Sequence, residues 1–101
     1  MSRSTFTRAA RRDLASAIRW IARDDPAAAR ALRNAVFRAA ERLGNYPELG
    51  ALRPEVTEAP YRFVALTGFP YIIVYNAARR PPSIVRVLHG ARDILELLRS
   101  L

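Results

Sequence analysis

Residues 70–76, Pro-Tyr-Ile-Ile-Val-Tyr-Asn, decide the fold of this 101-residue chain. The five consecutive residues from Tyr71 to Tyr75 are apolar or aromatic, and three of them are β-branched. A run this short, bounded by Pro70 and Asn76, favours a strand over a buried helix. Because apolar residues do not alternate with polar ones, neither face of the strand can lie open to water. We expect a central strand, covered by helices on one face and by other parts of the chain on the opposite face.

Two further strand-like segments flank this run. Residues 61–66 precede it across the four-residue hairpin connection Thr67-Gly68-Phe69-Pro70. Residues 83–89 follow it after a polar turn whose prolines prevent strand pairing from continuing. The C-terminal half of the chain therefore predicts an antiparallel meander of three strands.

The N-terminal half carries two helical patterns. Thr7 is suited to cap a helix over residues 8–23, whose apolar positions follow the i, i+4, i+7 spacing of one buried stripe. Asp25 then caps a second helix over residues 26–43, with Gly44 as its C-terminal stop. The short turn between them makes the two helices antiparallel neighbours.

Two large aromatic residues lie off these apolar stripes. Trp20 lies about 120° from Leu14 around the first helix, and Phe37 lies about 140° from Leu32 around the second. Packing at the rim of the core is the usual role of such residues. Two large aromatics beside the core of a small protein also suit a groove for a partner protein.

The remaining segments complete a single domain over residues 1–101. Residues 44–60 contain three prolines and two glycines, which predicts a long loop of a kind that is often functional. Residues 3–7 suit an edge strand, and residues 94–101 suit a short C-terminal helical tail. The expected fold is α+β in the order β-α-α-β-β-β, with a two-helix antiparallel hairpin packed on a small antiparallel sheet.

Composition excludes several kinds of protein. No apolar run approaches the ~20 residues needed to span a bilayer, and the N-terminus lacks the apolar region of a signal peptide. The chain has no cysteine, and its one histidine, His89, is accompanied by no carboxylate cluster. We therefore expect no metal site, no cofactor and no membrane contact, and a cytoplasmic location.

The charge points to a class of partner. The formal net charge is +8, and all 17 basic residues are arginine. An excess of positive charge predicts an acidic partner, either nucleic acid or an acidic protein, because the guanidinium fork grips phosphate or carboxylate with two hydrogen bonds. A GC-rich coding sequence accounts equally well for the choice of arginine over lysine, but it does not account for the excess of charge.

Several short signatures follow one another in a fixed order over nearly the whole chain. They are Asp13-Leu14, Asp25-Pro26-Ala27-Ala28-Ala29, Pro47-Glu48-Leu49-Gly50, Arg62, Tyr71-Ile72-Ile73-Val74-Tyr75 and the stretch from Val85 to Asp93. In this order and at this length, the chain resembles the RelE/ParE toxin superfamily of type II toxin–antitoxin systems. The ending His-Gly-Ala-Arg-Asp at residues 89–93 is more similar to the ParE branch.

The resemblance implies a growth-inhibiting toxin that a cognate acidic antitoxin, ParD-like, neutralises in a toxin–antitoxin hetero-oligomer. ParE-like members inhibit DNA gyrase and so block replication, whereas RelE-like members cleave mRNA on the ribosome. Gyrase inhibition is the leading interpretation of this sequence, and a ribosome-dependent mRNA endonuclease is the alternative. A nucleic-acid-binding module that uses the arginine faces is a further alternative.

The nuclease alternative requires a general acid or base and cations on the phosphate. Arg62 and His89 match positions where some RelE-like nucleases carry catalytic residues, and Arg92 adds a further cation. Strand alternation, however, places His89 on one face with Val85 and Val87, away from Arg86, and the lysine cluster of RelE-like proteins is missing.

The expectation for these residues is therefore mainly structural. His89 is expected to be hydrogen-bonded at a strand end, and Arg62 and Arg92 are expected to form ion pairs with Glu58, Asp93 or Glu96. No catalytic residue is assigned in the ParE-like interpretation.

That interpretation instead assigns contact residues. Arg92 and the apolar tail residues Ile94, Leu97 and Leu98 are assigned to the target. Trp20 and Phe37 are assigned to the antitoxin.

Overall fold

A computed structural model describes residues 3–94 and residue 96 of the chain. The elements in chain order are β1 (Thr5–Phe6), α1 (Arg8–Ala22), α2 (Pro26–Asn45), β2 (Ala51–Leu52), β3 (Tyr61–Ala65), β4 (Tyr71–Asn76) and β5 (Ser83–His89). The α+β class, the helical hairpin and the three-stranded meander are confirmed. One element was not predicted, because β2 lies inside the segment that the sequence indicates as a loop.

The strand β4 is the middle of a five-stranded sheet with the order β1-β5-β4-β3-β2. It pairs antiparallel with β3 on one side and with β5 on the other. Tyr71, Ile73, Val74 and Tyr75 are all buried, so the apolar run does form the centre of the sheet. The two short strands close the edges, since β1 pairs parallel with β5 and β2 pairs antiparallel with β3.

Each face of the sheet is covered by a different part of the chain. The larger apolar cluster joins both helices to one face and includes Leu14, Leu32, Val36, Leu43, Ile73, Tyr75 and Ile84. The smaller cluster covers the opposite face, where Val56 packs with Phe63, Val74 and Leu88. The expectation of a strand covered on both faces is therefore confirmed.

Side-chain caps start both helices where the sequence indicates. Thr7 Oγ1 accepts a hydrogen bond from the N–H of Ala10 at 3.2 Å, and Asp25 Oδ1 accepts one from the N–H of Ala28 at 3.0 Å. The prediction that α2 stops at Gly44 is wrong. Gly44 does not adopt a positive φ, so it lacks the left-handed geometry that ends a helix at glycine, and α2 continues to Asn45. In the part of the chain that the structure describes, no helix has the length and apolar character to cross a membrane.

A β-bulge in β5 reverses the faces of its first residues. Val74 pairs with Arg86 while Tyr75 pairs with Ile84, so Val85 is an extra residue in β5. Ile84 consequently joins the helix-side cluster, and Val85 packs against the opposite cluster. The predicted grouping of Val85 with His89 is wrong because one inserted residue shifts the alternation of faces by one.

Candidate functional site

The helix α1 has a concave surface on each of its two flanks. The first, the Trp20 cleft, has a volume of about 220 Å³ and is lined by Asp13, Ser16, Ala17, Trp20, Tyr71, Val87, Arg92 and Asp93. The second, the Phe37 groove, has a volume of about 440 Å³ and is lined by Phe6, Arg11, Leu14, Ala15, Ile18, Arg33 and Phe37. Three of the residues that the sequence singled out, Trp20, Phe37 and Arg92, line these two surfaces.

The Trp20 cleft combines an exposed aromatic ring with an exposed cation. Trp20 is 62% exposed, and the guanidinium of Arg23 lies 5.2 Å from the centroid of its ring. Arg92 forms the expected ion pair with Asp93, with 3.2 Å between Nε and Oδ1. The side chain of Arg92 remains 63% exposed in that pair, so its guanidinium is still accessible to a partner.

The turn after β5 holds His89 through local contacts. The N–H of His89 donates to Asp93 Oδ2 at 2.8 Å, and the N–H of Arg92 donates to Nδ1 of His89 at 3.3 Å. The His89 ring packs edge-on against Tyr71, with 5.5 Å between centroids. Burial alone would raise the pKa of Asp93, but the hydrogen bonds from His89 and Arg92 and their charges together lower that pKa. His89 thus serves as a hydrogen-bonded residue of its own turn.

The floor of the Trp20 cleft is fixed by Asp13. Its carboxylate accepts hydrogen bonds from Arg86 Nε at 2.7 Å, from Arg86 Nη2 at 3.1 Å and from the N–H of Val87 at 2.9 Å. The hydrogen bond to Asp13 raises the pKa of Arg86. These contacts tie α1 to β5 next to the bulge. The signal available in the sequence was that Asp13 is the one acidic residue in α1.

At the opposite end of β4, Arg62 binds the loop before β2. Its Nη1 donates to the carbonyl of Gly50 at 2.8 Å, with a longer contact of 3.5 Å to the carbonyl of Glu48. Tyr75 holds the same loop, because its hydroxyl donates to the Pro47 carbonyl at 2.6 Å and accepts from the Gly50 N–H at 2.8 Å. The ion pair suggested between Arg62 and an acidic side chain is not formed among the described residues.

The three residues of the nuclease alternative are not brought together. Arg62 pairs with Tyr75 across β3 and β4, whereas His89 pairs with Tyr71 across β4 and β5. Arg62 and His89 are therefore four residues apart along β4 and on opposite sides of it, which separates their Cα atoms by about 16 Å. Only Arg92 lies beside His89.

The Phe37 groove is apolar at its base and basic at its rim. Phe37 is half-buried and packs edge-on against Phe6, with 5.8 Å between ring centroids. The guanidinium of Arg33 lies 5.5 Å from the centroid of Phe37, and Arg11 also lines the groove. Trp20 lies outside this groove, so the two aromatic residues assigned to the antitoxin occupy separate surfaces on either flank of α1.

The apolar residues assigned to the target are only partly described. Ile94 is half-buried and packs against the cluster around Val56 and Val74, so most of its side chain faces the core. Leu97 and Leu98 lie outside the described residues.

Comparisons with known proteins point to one family. A family model described as "ParE toxin of type II toxin-antitoxin system, parDE" matches residues 5–94. Among solved structures, a chain described as "Chromosomal ParDE TA system from P. aeruginosa" superposes with a TM-score of 0.71 at 22% identity. That superposition covers 88% of this chain and 96% of the other, and at this identity it shows a shared fold. Among curated proteins, no match to this chain was found.

Proposed function

This chain belongs to the ParE toxin family of type II toxin–antitoxin systems, and we propose on that basis that it inhibits DNA gyrase in the cytoplasm until a cognate acidic antitoxin neutralises it. Inhibition by this mechanism is a matter of protein–protein contact and requires no proton transfer by the toxin. The separation of Arg62 from His89 is the observation that most supports a contact mechanism over RNA cleavage.

The chemistry of RNA cleavage explains why that separation matters. A nuclease needs an acid or base and a phosphate-binding cation within hydrogen-bond reach of the same substrate atoms. Arg62 is occupied by two backbone carbonyls, and Nδ1 of His89 accepts a hydrogen bond from the N–H of Arg92. An arginine held by these carbonyls and a histidine with its Cα about 16 Å away, on the other side of the central strand, are not arranged to act on one scissile phosphate.

The surface proposed for the target is the Trp20 cleft. Arg92 offers an exposed guanidinium there, which suits a carboxylate on the surface of another protein. We assign the central target contact to Arg92. Ile94, Leu97 and Leu98 remain assigned to the target as an extension of this surface, and the burial of Ile94 limits its direct share.

The surface proposed for the antitoxin is the Phe37 groove. An apolar base with Arg11 and Arg33 at its rim suits an amphipathic segment whose apolar side chains insert between acidic ones. Trp20 provides a second antitoxin contact on the other flank of α1. An antitoxin that reaches both surfaces must pass around α1, and in doing so it covers Arg92 and blocks the target.

Two parallel assays with purified protein separate gyrase inhibition from RNA cleavage. The parent and the His89→Ala variant are each added to a gyrase supercoiling reaction and to ribosomes carrying mRNA. We expect both proteins to inhibit supercoiling and neither to cleave mRNA, because the imidazole of His89 has no role in a contact mechanism. Ribosome-dependent cleavage by the parent that is abolished in His89→Ala would instead establish the nuclease alternative.

The matched variant for this experiment is Arg92→Ala. We expect it to weaken supercoiling inhibition by about tenfold or more, as loss of a central interface arginine does. Full inhibition by Arg92→Ala would remove the Trp20 cleft from the target contact while leaving the gyrase proposal intact.

A further inference from the structure

The outer side of the helical hairpin carries two rows of exposed arginines. On α1 the row is Arg8, Arg12, Arg19 and Arg23, spaced so that all four side chains lie opposite the buried stripe. At 1.5 Å per residue this row is about 22 Å long. On α2 a second row is formed by Arg30 and Arg38. These six residues are called the arginine face.

The positive charge of this face is not neutralised locally. Within the described part of the chain, none of the six arginines forms a salt bridge. Arg19 donates to Ser16 Oγ at 3.3 Å, and Arg23 lies over the ring of Trp20, so both keep their full charge. Inside α1 the acidic residue is Asp13, whose carboxylate is held by Arg86 and the Val87 N–H, and the other acidic residues of the hairpin are Asp24 and Asp25 at the turn and Glu41 near the end of α2.

The arginine face also has few of the apolar or aromatic anchors on which a tight protein interface is centred. Among the exposed residues beside the arginines, Ser16 on α1 and Asn34 on α2 are small and polar, and Trp20 is a large aromatic residue. Tight protein interfaces are centred on buried aromatic or apolar anchors. Trp20 lies at the border of the face, under the guanidinium of Arg23, and Phe37 is half-buried in the groove between the two helices. A surface of six exposed guanidinium groups with a single aromatic ring at its border fits a polyanion better than a folded protein.

We propose that the arginine face binds the phosphate backbone of duplex DNA. The axes of packed helices lie about 8–10 Å apart. The B-form major groove is about 12 Å wide, so arginine side chains that spread outwards from two such helices can reach the phosphates on both of its sides. The major groove of A-form RNA is too narrow for this spacing. Single-strand binders stack successive bases on several aromatic side chains, whereas this face is bordered by the one exposed ring of Trp20. Binding is to the backbone, and it is independent of base sequence.

The test measures binding of the full chain to a fluorescent 20-base-pair DNA duplex by anisotropy at several salt concentrations. The test variant, Arg12→Ala/Arg19→Ala, removes two cations from the face. The control variant, Arg53→Ala/Arg79→Ala, removes two exposed arginines of the sheet edge and the β4–β5 turn, so both variants lose the same net charge. Because neither gyrase nor antitoxin is present, the result is independent of the proposed target.

We expect the test variant to lose about two phosphate contacts, so that the slope of log K against log salt becomes shallower by about 2. The control variant should keep the parent slope. Equal losses in both variants would show that net charge alone attracts DNA, and would overturn the proposal. Absence of parent binding at low salt, or equally tight binding to an RNA duplex of the same length, would also overturn it. If thermal melting shows that the test variant does not fold, Arg30→Ala/Arg38→Ala takes its place with the same expected change.

Discussion

At the residue scale, the contact between Gly50 and Tyr75 sets the position of the loop before β2. A Cβ atom on residue 50 would lie 2.7 Å from Tyr75 Cε1 and 2.9 Å from the Phe63 carbonyl oxygen. Only glycine leaves room for the Tyr75 ring and for the hydrogen bond from the Gly50 N–H to its hydroxyl. The glycine of the Pro-Glu-Leu-Gly signature is thus required by close packing, since its φ is not positive.

The Gly50→Ala variant should be destabilised by about 1–3 kcal/mol, because neither the ring nor the backbone carbonyl can move away without disrupting the central sheet. The measurement is chemical denaturation followed by tryptophan fluorescence. Gly90→Ala is the matched control, since its added Cβ would meet Ile72 Cδ1 only at 3.4 Å. A Gly50→Ala protein as stable as the control would show that the loop can shift away from Tyr75.

The buried hydroxyl of Tyr75 should make the free energy of unfolding depend on pH in the alkaline range. Burial raises the pKa of its hydroxyl, which outweighs the lowering by the Gly50 hydrogen bond and the Arg62 charge. The folded protein therefore keeps this proton at a pH where the unfolded chain, with a pKa of about 10, has released it. The stabilising effect is complete below pH ~10 and is lost as the pH rises through the raised pKa.

Denaturation curves from about pH 9 to pH 11 should show this loss in the parent protein. Tyr75→Phe is less stable at neutral pH, because it lacks both hydrogen bonds of the hydroxyl, but its stability should fall less steeply over the same interval. Parallel pH profiles for the two proteins would contradict the assignment to Tyr75.

At the element scale, the structure shows which features the sequence was able to predict. The strand β4 and the caps at Thr7 and Asp25 were predictable because each rests on neighbouring residues alone. The bulge at Val85 was not, because an unpaired residue depends on the partner strand. For the same reason β2 was missed, since its two residues become a strand only by pairing with Phe63 and Arg62.

Some residues of the concave surfaces were indicated by the sequence, but their grouping was not, and their assignment to partners stays a prediction. Trp20, Phe37 and Arg92 do line concave surfaces. Their division into a cleft and a groove follows from the rotation of α1 on the sheet, which the helical period does not specify. The contact of Asp13 with Arg86 also depends on the bulge, and so no local pattern indicated it.

Replacing Asp13 should show how much its contacts between α1 and β5 contribute to stability. Asp13→Ala should lose about 1–3 kcal/mol of stability, because the Val87 N–H loses its acceptor and the half-exposed Arg86 loses its partner. Asp13→Asn keeps one acceptor and should lose less. Thermal and chemical denaturation measure both, with the exposed Asp24→Ala as the control. A loss in Asp13→Ala no larger than in the control would mean that apolar packing alone holds α1 on the sheet.

At the scale of the whole molecule, the apolar anchors and the exposed arginines lie on different parts of the surface. Apolar anchors lie on the two flanks of α1, and the exposed arginines of the hairpin lie on its outer side. The opposite face of the sheet is closed by Val56 and its neighbours. The surfaces that we propose for the target, the antitoxin and DNA therefore adjoin one another around α1.

This separation predicts the effect of truncating the aromatic anchors. Phe37→Ala and Trp20→Ala should each weaken antitoxin binding by about 2 kcal/mol, or roughly 30-fold in Kd, if they fill apolar pockets of the partner. Titration calorimetry measures the change, after melting curves have established that each variant folds. Tyr46→Ala is the control, because Tyr46 is 67% exposed and lies in neither concave surface. Affinities equal to that of the control would remove both residues from the antitoxin interface.

The parallel pairing of β1 with β5 has a consequence for how the protein is made. Thr5 pairs with Ser83, so β1 leaves the ribosome well before the strand with which it pairs. Translation at about 5–20 residues per second leaves the finished helical hairpin without its sheet for roughly 2–8 s. The core can close only after β5 has emerged from the ribosome. A chain released before residue 83 lacks β5, which is the partner of β1 and one of the two partners of β4, so such a chain cannot complete the sheet.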